Sequence, residues 1–305
     1  MAYINYLNYY ISSNMEKSTK ILKEYGFSDE EAKKFNKKTG LKNISIIKSK
    51  SEFDIYNELL SDFFILPEVE TKDITNIMYI NMLGFENKEC LPYAIQKKYK
   101  MDKATVILLN EKCGATVQAL ELTDALIEKD ASKKVLILST VISEKDRFID
   151  TTILGDAVGI MYISAKSRGM KISDTISFTD GQYSLDMYEN KKFNLQVYNV
   201  ILKGSSIINN ILLKNNLKMY DIELIIPLNI SYASMDLYSS LLKVNLNKFY
   251  MDNIPKGGHL GDVDTIRNLT DVIRNYNLQK GDKVIIYSLG YKLYDITYYA
   301  MLLEI

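Results

Sequence analysis

Three pairs of segments recur along this chain in the same order and nearly the same register. "DITNIMYIN" from Asp73 reads against "DIELIIPLN" from Asp221, a spacing of about 148 residues. "ALELTDALI" (Ala119–Ile127) reads against "IRNLTDVI" (Ile266–Ile273), and "KKVLILS" (Lys133–Ser139) against "DKVIIYS" (Asp282–Ser288). A repeat this long marks a duplicated domain, because solenoid units run to about 20–50 residues. The expected halves are residues 1–166 and 167–305, joined by the polar connection "AKSRGMK" (Ala165–Lys171).

Each half offers the same elements. "NIMYINML" and "ELIIPLNI" read as short strands buried on both faces. Helical stretches follow at "LPYAIQKKY" and "SMDLYSSLLKV", then a strand at "ATVILLN" or its counterpart "KFYMD". A second helix and a final strand complete the unit. Strands alternating with helices predict parallel sheets covered by helices, and two such halves sharing a core predict an α/β/α/β/α layering.

Of the 305 residues, 47% are hydrophobic and 25% charged, the balance of a globular chain with a real core. Lys+Arg and Asp+Glu are equal at 38 each, so no global field draws the chain to nucleic acid or an anionic membrane. The longest apolar runs are too short to span a bilayer, and "MAYINYLNYYISS" lacks the pattern of a signal peptide. Two cysteines and one histidine make neither a disulfide framework nor a zinc cluster. A cytoplasmic protein without a bound metal is the expectation.

The lone histidine, His259, lies between glycines in "NIPKGGHLGDVDTIRNL". Cys113 sits where the strand "ATVILLN" turns into a helix, and shifting it by the repeat lands on Gly261, two residues from His259. The two therefore head equivalent helices, and a pseudo-twofold axis would bring them face to face. A cysteine beside a base is the arrangement of covalent acyl transfer, and a helix N-terminus favours the reactive thiolate. Cys90 has no such context and reads as a packing residue.

These residues resemble the thiolase fold, and within it the ketoacyl-acyl-carrier-protein synthase III family. "KKTGLK" (Lys37–Lys42) is similar to that family's Arg-Thr-Gly-Ile signature, and "NEKCGATVQAL" to its nucleophile segment. "DRFIDTTILGDAVGIMYI" (Asp146–Ile163), "GGHLGDVDTIRNL" and "SLGYKLY" resemble three later motifs in the family's order. The resemblance implies duplicated βαβαβαββ halves in five layers and a homodimer paired through "ATVILLN", with a partner side chain near Leu91 closing the acyl pocket. It also implies no permanently bound cofactor, the donor being a thioester of acyl carrier protein or coenzyme A.

Two of the family's three active positions differ here. Leu228, in "PLNIS", stands where the family has its histidine, and His259 stands where it has asparagine. The "GH…D" pattern resembles a divergent branch that transfers acyl groups to oxygen, nitrogen or sulfur acceptors in natural-product or fatty-acid-related biosynthesis. By that resemblance Cys113 carries the acyl group, His259 deprotonates the acceptor, and Asp264 orients His259, with Asp262 as the other candidate. The Cys113 and Gly290 N–H groups would form an oxyanion hole. Arg147 matches an arginine that contacts the adenine end of coenzyme A. Lys34 falls where a stacking tryptophan is usual, and the chain has no Trp, which favours a carrier-protein donor. A decarboxylative condensing enzyme and a non-catalytic partner subunit are the alternatives. The acyl pocket is expected to depend on loops such as Gly181–Asn199.

Overall fold

The computed structural model describes the chain apart from residues 68, 87, 145, 150, 183, 186–188, 190–196 and 293–294. Nine strands make up its main sheet: β1 (Tyr3–Ile11), β2 (Asn76–Asn81), β3 (Thr105–Leu109), β4 (Lys134–Val141), β5 (Ala157–Ser164), β6 (Met170–Asp180), β7 (Leu224–Ile226), β8 (Lys283–Lys292) and β9 (Asp295–Glu304). Their order is β7-β8-β9-β6-β1-β5-β4-β2-β3. Among the described residues, eight helices accompany them: α1 (Ser18–Glu24), α2 (Asp29–Thr39), α3 (Glu52–Phe64), α4 (Cys90–Lys98), α5 (Ala115–Lys129), α6 (Val197–Lys214), α7 (Tyr232–Leu242) and α8 (Val263–Asn275).

The duplication is visible in the pairing. Outward from β1, the sequence β5, β4, β2, β3 runs antiparallel, antiparallel, parallel, parallel. Outward from β6, the sequence β9, β8, β7 repeats the same senses. The two half-sheets are joined edge to edge where β1 meets β6, at Tyr3–Lys171 and Ile4–Met170. The expected counterpart of β3, "KFYMD", is reduced to a single bridge between Ile225 and Phe249. Pro227 lacks an N–H and follows β7 directly, which keeps that strand short.

The apolar pattern assigns the layers. β2 is buried at all six positions, as the sequence predicts for a strand covered on both faces. One face, with Ile77 and Tyr79, packs against Ile55, Leu59 and Phe63 of α3. The other face, with Met78 and Ile80, shares a core with Ala119 and Leu120 of α5, Ile266 and Leu269 of α8, and Ile226 and Ile286 of the second half-sheet. On its far side that second half-sheet packs Ile285, Tyr287 and Leu302 against Ile207 and Ile211 of α6 and Met235 of α7. Five layers result, α/β/α/β/α, with α5 and α8 in the middle. Among the described residues no helix is long and apolar enough to cross a membrane.

The middle layer imposes a second requirement. α8 is buried at every position from Val263 to Thr270, including Asp264, Arg267 and Asn268. Buried polar groups need partners, so this helix requires a hydrogen-bonded network around it. Cys90, expected in the interior, instead begins α4 in an exposed position.

Candidate active site

Cys113 occupies a single 3-10 turn, Lys112–Gly114, between β3 and α5. Lys112 takes a left-handed backbone (φ 50), which reverses the chain sharply enough to bury Cys113 at the head of α5. The turn lies flat on β8 and β9. A Cβ added at Gly114 would stand 2.6 Å from the Tyr299 ring and 3.0 Å from the Gly290 nitrogen. The Ser288 hydroxyl donates to the Cys113 carbonyl at 2.7 Å and fixes the turn further. Gly290 lies within β8. A Cβ there would meet the Glu111 carbonyl at 2.4 Å, so the glycine permits strand and turn to touch.

His259 is held as firmly. Its N–H donates to the Ile153 carbonyl at 2.9 Å, and its own carbonyl accepts from Gly155 N–H at 3.0 Å. A Cβ at Gly155 would lie 1.8 Å from the Gly257 carbonyl, so this contact between the halves requires glycine. The imidazole Nε2 then lies 3.2 Å from Cys113 Sγ, and Nδ1 lies 2.6 Å from Asp264 Oδ2. The repeat-based expectation that the histidine faces the cysteine matches this geometry.

The two candidate aspartates divide between the two central helices. Asp264, fully buried in the first turn of α8, also accepts from Asn229 N–H (2.9 Å), Asn229 Nδ2 (2.6 Å) and Leu260 N–H (3.2 Å). These donors satisfy the buried carboxylate and aim Oδ2 at the imidazole. Asp262 does not touch the imidazole. Its Oδ1 accepts from Thr116 N–H at 2.9 Å, and Thr116 Oγ1 donates to the Asp262 carbonyl at 3.0 Å. Asp262 therefore caps α5, the helix that follows the Cys113 turn. Its Oδ2 has no hydrogen-bond partner among the described residues.

Asn229 and Asn268 were not singled out from the sequence. Asn268 Nδ2 donates to the Pro227 carbonyl (2.9 Å) and to Asn229 Oδ1 (3.1 Å), and Asn253 joins Asn268 to Asp271. One signal was available: Asp264, Asn268 and Asp271 recur at helical spacing and form a polar row along α8.

Charge follows from these contacts. Burial opposes a positive imidazole at His259, but the facing Cys113 sulfur and then the Asp264 carboxylate outweigh it, and the pKa lies well above its ordinary value. Asp262 behaves in the opposite sense. Burial pushes its carboxyl up to about 7, against the pull of the Thr116 N–H.

Cys113 and His259 open onto a cavity of about 210 Å³ lined by Leu228, Met235, Tyr238, Tyr287 and Leu289 among others. Leu228 thus adds apolar surface where the resembled family has an imidazole. Much of the loop Gly181–Asn199, expected to shape this pocket, lies outside the described residues. Arg147 does not face it. Its guanidinium forks onto the fully buried Asp156 at 2.7 and 2.9 Å, and Asp156 also accepts from Ile47 and Ser143 N–H groups. The guanidinium is thereby held in an internal ion pair. Lys34 is exposed on α2.

The lone Asp262 oxygen gives a test by pH. The folded carboxyl stays protonated up to about pH 7, whereas an aspartate in an unfolded chain ionises near 3.9. The folded state therefore holds the extra proton, and stability falls as pH rises through this window, by about 4 kcal/mol at 1.36 kcal/mol per unit. Asp262→Asn keeps an acceptor for Thr116 and should remove that decline. Thermal unfolding of both proteins at about pH 5 and 7.5 checks it; equal losses in parent and variant would contradict the assignment.

No protein-family model matches the chain. In sequence it is 22% identical over 293 residues to the beta-ketoacyl-[acyl-carrier-protein] synthase III of Clostridium beijerinckii, covering 88% of each chain. In structure it aligns over 100% of its length with all of the 3-oxoacyl-[acyl-carrier-protein] synthase III of Aquifex aeolicus VF5, at a TM-score of 0.82 and 16% identity. It aligns equally fully with 97% of the acyltransferase ChlB3, at a TM-score of 0.84 and 13% identity. The chain has the thiolase fold, and it resembles the ketoacyl-acyl-carrier-protein synthase III family of transferases along nearly its whole length.

Proposed function

We propose that this protein is an acyltransferase that moves an acyl group from a carrier-protein or coenzyme A thioester through Cys113 to an oxygen, nitrogen or sulfur acceptor. The observation that carries this reading is the line from Cys113 Sγ through the His259 ring to Asp264. Cys113, as thiolate, attacks the thioester carbonyl; the new S–C bond forms and the bond to the pantetheine sulfur breaks. The His259 imidazolium gives its proton to the departing sulfur. Acylation removes the thiolate charge that holds the His259 pKa up, so the imidazole is left neutral and basic. It then takes the acceptor's proton as the acceptor attacks, and Cys113 leaves as thiolate beside a renewed imidazolium.

Asp264 holds the tautomer that presents Nε2 to the sulfur. The Cys113 and Gly290 N–H groups serve as the oxyanion hole, a role favoured by the approach of Gly290 to the nucleophile turn. Nothing in this scheme needs a resident cofactor. A second reading, a decarboxylative condensing enzyme, rests on the similarity to the Clostridium synthase. It must make do with one imidazole, since Leu228 replaces the other, and release of carbon dioxide from a malonyl thioester distinguishes it.

The two central residues should fail at different steps. Cys113→Ser should show no covalent loading by intact mass with any acyl thioester. His259→Ala should load slowly and then transfer about 10²–10⁴-fold more slowly than the parent, accumulating acyl-enzyme. A variant without His259 that loads and transfers like the parent contradicts the assignment.

A homodimer belongs to the same reading. β3 ends the sheet with an unpaired edge of Val106, Ile107, Leu108 and Leu109, an aggregation hazard unless a second strand covers it. Leu91 packs in part against the outer helix layer beside that edge. Light scattering at micromolar concentration should give twice the 35.0 kDa chain mass. A monomer at that concentration, or a Leu108→Lys variant that remains dimeric, counts against pairing through β3.

A further inference from the structure

The wall of the Cys113 cavity holds a polar feature that acyl transfer itself does not use. Tyr238 of α7 and Tyr287 of β8 both line the cavity, both are 3% exposed, and their hydroxyls lie 2.6 Å apart. Burial holds both well above the ordinary tyrosine pKa, so each keeps its proton. Two hydroxyls bring two protons, and the bond between them uses one. The second proton has no acceptor among the described residues.

The side opposite the cavity is closed. A Cβ at Gly204 of α6 would stand 2.1 Å from Tyr287 Oη and 2.7 Å from Tyr238 Oη, so the helix backbone rests directly on the pair. The open side is the cavity. Among the described residues that line it, none is Lys, Arg, Asp or Glu. Against these residues an ionised group would lose its hydration with no countercharge, whereas a neutral oxygen would gain the spare O–H.

We infer that the Tyr238–Tyr287 pair selects an acyl group that carries a neutral hydrogen-bond acceptor, a hydroxyl or carbonyl oxygen, along its chain, in preference to a plain alkyl or an ionised acyl group. This rests on the reading of the cavity as the acyl pocket. The selectivity is moderate, because a neutral hydrogen bond is gained in exchange for bonds to water.

The test uses pantetheine analogues in which an amide nitrogen replaces the thioester sulfur, so that binding is read without acylation. Hexanoyl pantetheine amide is compared by calorimetry with isomers bearing one hydroxyl at successive carbons, and with an ionised adipoyl analogue. At least one hydroxy isomer should bind the parent about three- to tenfold more tightly than hexanoyl, and adipoyl more weakly than either. In Tyr238→Phe/Tyr287→Phe both partners of the bond become apolar together, a change that cores tolerate. There the hydroxy isomers should lose their advantage while hexanoyl binds at least as well as in the parent. Equal or weaker binding of every hydroxy isomer to the parent, no binding of any analogue, or an advantage that survives the double substitution overturns the inference. The corresponding thioesters, tried on the parent, separate the two proposals: the binding preference without a Cys113 adduct would sink the acyl-enzyme reading and leave the selectivity of the pocket standing.

Discussion

The contact between Cys113 Sγ and His259 Nε2, at 3.2 Å, is the point on which the architecture converges. Each residue comes from a different copy of the duplicated unit, and neither copy places a functional side chain alone. The first half contributes a left-handed Lys112 and a 3-10 turn; the second contributes a glycine-rich loop fastened to Ile153 and Gly155. A shift of either half-sheet by one register would separate the pair. The apolar middle layer of α5 and α8 therefore fixes the halves together, and its packing is also the scaffold of the site.

A buried helix that carries Asp264, Arg267 and Asn268 is costly unless each is paired. Arg267 donates to the Lys256 carbonyl, and the network that pairs the other two runs from His259 through Asp264, Asn229 and Asn268 to Asn253 and Asp271. The same bonds that make α8 tolerable in the interior lock the imidazole in one orientation. Asp262 performs the reciprocal task, since it reaches from the head of α8 to the first turn of α5. The two aspartates, two residues apart, thus tie both central helices to the site.

How much of this the sequence carried depended on whether the determining partner was local or periodic. The duplication, the buried strands and the facing of Cys113 and His259 all followed from repeated spacing. The choice between Asp262 and Asp264 did not, because both sit at the start of one helix and only the neighbouring element decides which way each carboxylate points. The ion pair of Arg147 with the buried Asp156 was not read from the sequence, because the two side chains meet only once the chain has folded back. The strand expected at "KFYMD" shrank to one bridge, in keeping with a β7 of only three residues. The tyrosine pair lay hidden among 23 tyrosines, since nothing local marks two of them as partners 49 positions apart.

Because the chain has one histidine, a protein labelled with nitrogen-15 in that residue reports on the central contact without ambiguity. The account predicts a single imidazole that stays doubly protonated well above the ordinary value of about 6.5 in the free protein. It predicts a fall in that pKa once Cys113 is alkylated, because the largest influence raising it is the facing sulfur. A histidine that titrates near 6.5 and ignores the state of Cys113 would contradict the coupling, and with it the acyl-transfer reading built on that coupling.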